Sequence, residues 1–143
     1  MTQCSMWRRL ATLAAAGAAM ACQGEDIIRE NAVEAAVRVI VTDPAGAPVS
    51  GASVVIHVYE PGAAADPQPR VVSEMGTTDS SGEVTFRLGI FLAPPCDCPS
   101  EARVAPPPGS DLAPAIASTS LRFDAPAPPA QVIAVTLPAL GGA

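Results

Sequence analysis

With 143 residues, 14 acidic against 8 basic side chains and a formal net charge of −6, the chain has room for one folded core and no basic stripe for nucleic acid. Aromatic residues make up only 3%, too few for a stacked-base or carbohydrate-binding platform, and every basic residue is arginine.

The first 21 residues read as a bacterial lipoprotein signal peptide. Arg8 and Arg9 form a positive n-region, residues 10–20 form an apolar stretch too short to span a bilayer, and small Ala21 directly precedes Cys22. No Phe-Leu follows the paired arginines, which favours ordinary secretion over a twin-arginine route. Cys22 is the candidate lipidation site; the alternative is cleavage nearby with Cys22 an ordinary residue. In lipoproteins the mature N-terminal cysteine carries three acyl chains, and two already suffice for stable anchoring. Removing the signal takes away Arg8 and Arg9 and leaves the remainder more acidic, which argues against electrostatic docking on anionic lipid.

Residues 22–36 follow as an acidic, lipid-anchored linker with Glu25, Asp26, Glu30 and Glu34. Residues 26–36 could form a turn or two of helix, but a tether is the simpler reading. From residue 37 the pattern changes to period-two alternation, the mark of half-buried strands. The expected strands are residues 37–42, 53–60, 70–78, 83–92, 116–123 and 131–137. On residues 52–59 Ala52, Val54, Ile56 and Val58 share one face, and Ser53, Val55, His57 and Tyr59 the other. Val84, Phe86 and Leu88 are expected inside, as are Ala117, Thr119, Leu121 and Phe123, then Ile133, Val135 and Leu137.

Turn chemistry punctuates these runs. Asp43 and Asp79 can bond backbone groups two residues on, while Gly46 and Gly82 can take the positive φ that closes such turns. Residues 79–82 are expected to join two strands as a hairpin. Residues 61–69 are a loop. Residues 93–114 carry Pro94, Pro95, Pro99, Pro106, Pro107, Pro108 and Pro114 and read as one long loop, with at most a brief edge strand at Val104.

The pattern Asp43-x-x-Gly46-x-Pro48-Val49-x-Gly51-Ala52-x-Val54, with Thr78-Asp79-x-x-Gly82-x-Val84-x-Phe86 later, resembles the carboxypeptidase regulatory-like (transthyretin-like) β-sandwich domain. It is nearly as similar to the bacterial Ig-like repeats of invasin- and intimin-type adhesins. Both resemblances imply an all-β, prealbumin-like or Ig-like Greek-key sandwich of about seven strands without a catalytic site of its own. The sandwich would occupy residues 37–140. Residues 93–114 depart from the family, which has a compact strand with a Tyr there.

Cys96-Asp97-Cys98 is the one unusual constellation. With Cys4 removed and Cys22 acylated, these are the remaining thiols, and in an oxidising compartment they would be oxidised, most simply to each other. Three readings stand: a bridge that stiffens the loop, a thiol-redox or intermolecular role, and a metal site, which would lack the three or four ligands it wants. A double serine variant is expected to fold normally. His57 and Tyr59 are the only His and Tyr. Intradiol dioxygenases use a related sandwich but need two of each for iron, and transthyretin-like hydroxyisourate hydrolases need several His and a Tyr-Arg-Gly-Ser ending. No Gly-x-Ser-x-Gly elbow is present. Calcium at Asp43, Asp79 and Asp124 is less economical than turn geometry for the first two.

The expectation is therefore a lipid-anchored cell-envelope module, at the outer membrane, that is not an enzyme and has no cofactor or metal. It would act structurally or by binding an envelope protein through loop 93–114. The alternatives are an adhesin-like surface module and a thiol-redox accessory protein using Cys96 and Cys98.

Overall fold

The computed structural model describes residues 33–61, 70–91 and 95–141. The expected signal peptide, Cys22, the linker as far as residue 32 and most of the 61–69 loop lie outside the described residues. The described residues belong to one compact unit, Val33–Ala143.

Seven strands form two sheets: β1 (Val33–Thr42), β2 (Ser53–Glu60), β3 (Arg70–Thr77), β4 (Glu83–Ile90), β5 (Cys96–Ala105), β6 (Ala115–Phe123) and β7 (Gln131–Thr136). The all-β sandwich expected from the alternation is thus the fold. One sheet has the order β4-β1-β7, with β1 antiparallel to β4 and parallel to β7; the other has the order β3-β2-β5-β6. β1, β2, β4, β5 and β7 turn alternate residues toward the opposite sheet, because successive side chains leave a strand on opposite faces, while the edge strand β3 buries none and β6 only Leu121 and Phe123. Val37, Val39 and Val41 of β1 thereby meet a layer that includes Val54, Ile56 and Val58 of β2, all fully buried.

The structure corrects four expectations. Residues 33–36 are neither linker nor helix: β1 begins at Val33, where Val33 pairs with Ile90 and Ala35 with Leu88. The 79–82 turn does not make a hairpin, because β3 and β4 lie in different sheets. It is a corner between sheets. Thr119 is exposed, although its parity points it toward the core.

The largest correction falls on residues 93–114. Residues 96–105 are β5, a ten-residue central strand paired with both β2 and β6. Proline in a central strand is unfavourable because it has no N–H for the ladder. Here the β2–β5 pairing runs from Ser53↔Ala105 to Val58↔Ser100 and stops one residue short of Pro99, so Pro99 leaves no gap inside it. Residues 106–114 are loop, and part of it packs back against residues 138–140. The Ala113 N–H bonds the Pro138 carbonyl at 2.7 Å, and the Leu140 N–H bonds that of Asp111 at 2.8 Å.

Two corners of the sandwich are built alike. Asp43 Oδ1 accepts from the N–H groups of Ala45 and Ala47 at 2.9 and 2.8 Å, and Asp79 Oδ1 accepts from those of Ser81 and Glu83 at 2.8 and 3.1 Å. Gly46 and Gly82 close the two turns at φ +84° and +73°, a region that only glycine enters without strain. Thr78 ties the corners together from a buried position: its hydroxyl donates to the Val49 carbonyl at 2.7 Å and accepts the Ala52 N–H at 2.9 Å. At the opposite end of β2, buried Glu60 accepts the Phe91 N–H at 3.2 Å and links the ends of the two sheets.

Candidate functional site

The antiparallel registers of the four-stranded sheet line up its outward side chains in rows. One row runs Ser73 (β3), His57 (β2), Glu101 (β5) and Ser118 (β6); the next runs Met75, Val55, Arg103 and Ile116. Tyr59 and Val71 begin a third. The two residues singled out in the sequence, His57 and Tyr59, therefore lie at the centre of an open sheet face, with ring centroids 6.5 Å apart. The same face gathers Glu101 and Arg103, which sequence reasoning places in the interaction loop 93–114 and not on a strand, together with Met75 and Ile116, which it passes over.

His57 Nδ1 shares a hydrogen bond with Ser73 Oγ at 2.7 Å. Arg103 donates to Glu101, and that bond raises the Arg103 pKa above its ordinary value. Near the other end, Arg122 bonds Asp124 at 2.9 Å and lies 3.6 Å from Asp97. The Arg122 hydrogen bond, helped by the Ala125 N–H, holds the Asp124 carboxyl below the usual carboxylate range. Being exposed, these ion pairs set the polarity of the face and add little to stability. Apolar side chains flank them: Met75 is 72% exposed, Ile116 62% and Val71 52%. A groove of about 240 Å³ runs beside Arg103 between Val55, Ala105, Pro114 and Ile116. The face can thus offer a partner a neutral patch of ion pairs and hydroxyls bordered by apolar contacts.

Cys96 and Cys98 are joined by a disulfide, with Cα atoms 5.5 Å apart. Being two apart on one strand, both side chains point the same way, and that way is inward: Cys98 is fully buried and Cys96 nearly so. The bridge therefore belongs to the core, in β5, and does not stiffen a loop. The expectation that a double serine variant folds normally is corrected by this burial. Cys96→Ser/Cys98→Ser would bury two hydroxyls, each costing about 1–3 kcal/mol if left unpaired. Denaturant titration should show that loss, and a non-reduced digest should place both cysteines in one linked peptide. An unchanged midpoint would mean that the bridge is not packed in the core.

Asp43 and Asp79 are spent on turns, and Asp124 is paired to Arg122. Among the described residues no group of three or more His, Cys, Asp or Glu side chains is placed to hold a metal ion. Among them, too, no helix is long and apolar enough to cross a membrane.

No protein-family model and no curated protein matches the sequence. Among solved structures the chain is similar to the dioxygenase domain of a dioxygenase–carbohydrate-binding protein fusion from the cellulolytic bacterium Streptomyces sp. SirexAA-E. That likeness has a TM-score of 0.43 at 18% identity and covers 74% of this chain and 79% of that chain. The expectation that the chain is not an enzyme is not carried further: the similar structure is described as a dioxygenase domain, and the likeness assigns no activity to this chain. No residue role is carried across from it.

Proposed function

We propose that the chain is a lipid-anchored module of the bacterial cell envelope, acylated at Cys22, held at the outer membrane, and acting by presenting its four-stranded sheet to an envelope protein. The observation that carries the binding part is the outward face itself. Met75, Ile116 and Val71 stand exposed around the His57–Ser73 and Glu101–Arg103 pairs. Several large apolar side chains exposed on one sheet face, here at the borders of a polar centre, favour an interaction surface more than singly scattered ones do. The partner surface first placed on residues 93–114 moves accordingly. Residues 96–105 contribute only their outward side chains, Glu101 and Arg103 among them, and Pro114 borders the groove.

The anchoring part rests on the n-region, the short apolar stretch and the Ala21-Cys22 junction. Cys22→Ser is expected to abolish labelling by a radiolabelled fatty acid and to leave unprocessed or soluble protein. If the variant still fractionates with membranes as a processed, unlabelled species, the anchor is something else. In the same cells, a photo-crosslinking amino acid in place of Met75 should capture an envelope protein. Crosslinks that appear equally from Thr85, on the opposite sheet, would remove this face as the binding surface.

A further inference from the structure

A sandwich keeps unused backbone hydrogen-bonding groups at its sheet edges, and these can pair with another strand unless charge, proline or brevity blunts them. This fold has four edges: β3, β4, β6 and β7. β3 carries Arg70 and Glu74, and β4 carries Glu83 and Arg87. β7 has six residues, with Pro129 and Pro138 close to its ends. β6 differs from all of them. It has nine residues, and residues 115–121 contain neither a charge nor a proline.

The direction of the free groups on β6 can be read from Gln131. Its side-chain amide accepts the Arg122 N–H and donates to the Arg122 carbonyl, both at 2.8 Å, so it sits on the edge as one peptide unit of a neighbouring strand would. The backbone groups of Arg122 thus point away from β5. In an antiparallel pair that direction alternates, so those of Ser120, Ser118 and Ile116 point the same way. Among the described residues, nothing but Gln131 pairs with this edge. Ser118, Thr119 and Ser120 are all exposed, and exposure of core-facing Thr119 means that the seam beside β6 is open.

We propose that this edge pairs with the β6 edge of a second copy, antiparallel about a two-fold axis at Ser118, joining two four-stranded sheets into one. The segment suits itself. With Ser118 opposite Ser118, Ile116 faces Ser120 on the outer side, and Ala117 faces Thr119 on the inner side. Arg122 falls opposite Pro114. No like charges meet, which is the condition that usually forbids self-pairing of a strand in an acidic protein. Closure about a two-fold also consumes both free edges and leaves none to propagate.

The test uses the full chain with a photo-crosslinking amino acid in place of Ile116. A product of twice the chain mass, mapped by mass spectrometry to residues 118–122 of the second copy, is expected. Ser118→Pro should abolish that product and shift sedimentation to the monomer with an unchanged circular dichroism spectrum, because the N–H it removes takes no part in the β5–β6 ladder. Ser118→Lys, which puts two like charges on the axis, should do the same if the proline variant folds poorly. A product with a different protein alone, a dimer that survives both variants, or no product at all would overturn the self-pairing. Ile116 also lies on the outer sheet face, so a different protein captured there would count for that face and against the self-pairing, while the Met75 crosslink tests the face separately.

Discussion

Gly82→Ala is expected to destabilise the fold by about 2–5 kcal/mol, whereas Gly46→Ala, at the same position of an equivalent turn, should cost only about 1–2 kcal/mol. Both glycines have positive φ, so an added Cβ meets the same backbone penalty at either site. Their surroundings differ. At Gly46 a Cβ would have nothing within 4 Å, while at Gly82 it would lie 2.6 Å from the Val41 carbonyl oxygen and 3.0 Å from the Val49 nitrogen. Those are backbone atoms and cannot swing aside. The Val41 N–H also bonds the Gly82 carbonyl at 2.8 Å, so the corner cannot retreat without losing that bond. Denaturant midpoints of the two variants measure the difference directly. Equal losses would show that backbone conformation alone, without the close approach of the two corners, sets the requirement for glycine.

Phe86→Ala should cost about 3–5 kcal/mol, and Arg87→Ala within about 0.5 kcal/mol of nothing. Phe86 is 6% exposed, on the inner side of β4 between the sheets, whereas its neighbour Arg87 faces solvent. The ring also fills the space left by Gly76 on β3, where a Cβ would lie within 3.2–3.3 Å of it. Removing the ring therefore opens a cavity beneath an edge strand that glycine keeps close. Urea titrations that gave equal losses for the two variants would mean that the faces of β4 are reversed.

Period-two alternation placed β2, β4 and β7 within a residue or two, because each has one face on the core and the alternation reports that directly. It failed at β5 for a reason that is local. Pro95, Pro99 and the prolines from Pro106 onward look like a loop when only neighbouring residues are considered. Whether Pro99 lacks a needed N–H depends on where a neighbouring strand ends, and β2 ends its pairing at Ser100. The site suffered with it. His57 and Tyr59 could be placed on one face of a strand, but their neighbours Glu101 and Arg103 belonged to the strand that was missed. Ser73 reaches His57 only through the β2–β3 register.

By itself, the order of residues determined the class of fold, the two aspartate–glycine turns, and which side of most strands is buried. Each is a short-range consequence of side-chain alternation or of the φ that glycine tolerates. Only the tertiary structure decided that the 79–82 turn is a corner between sheets, that the Cys96–Cys98 bridge lies in the core, and that β6 ends a sheet with an open edge. Those depend on which strands become neighbours, and pairing partners far apart in the chain are chosen by the packing of two whole sheets.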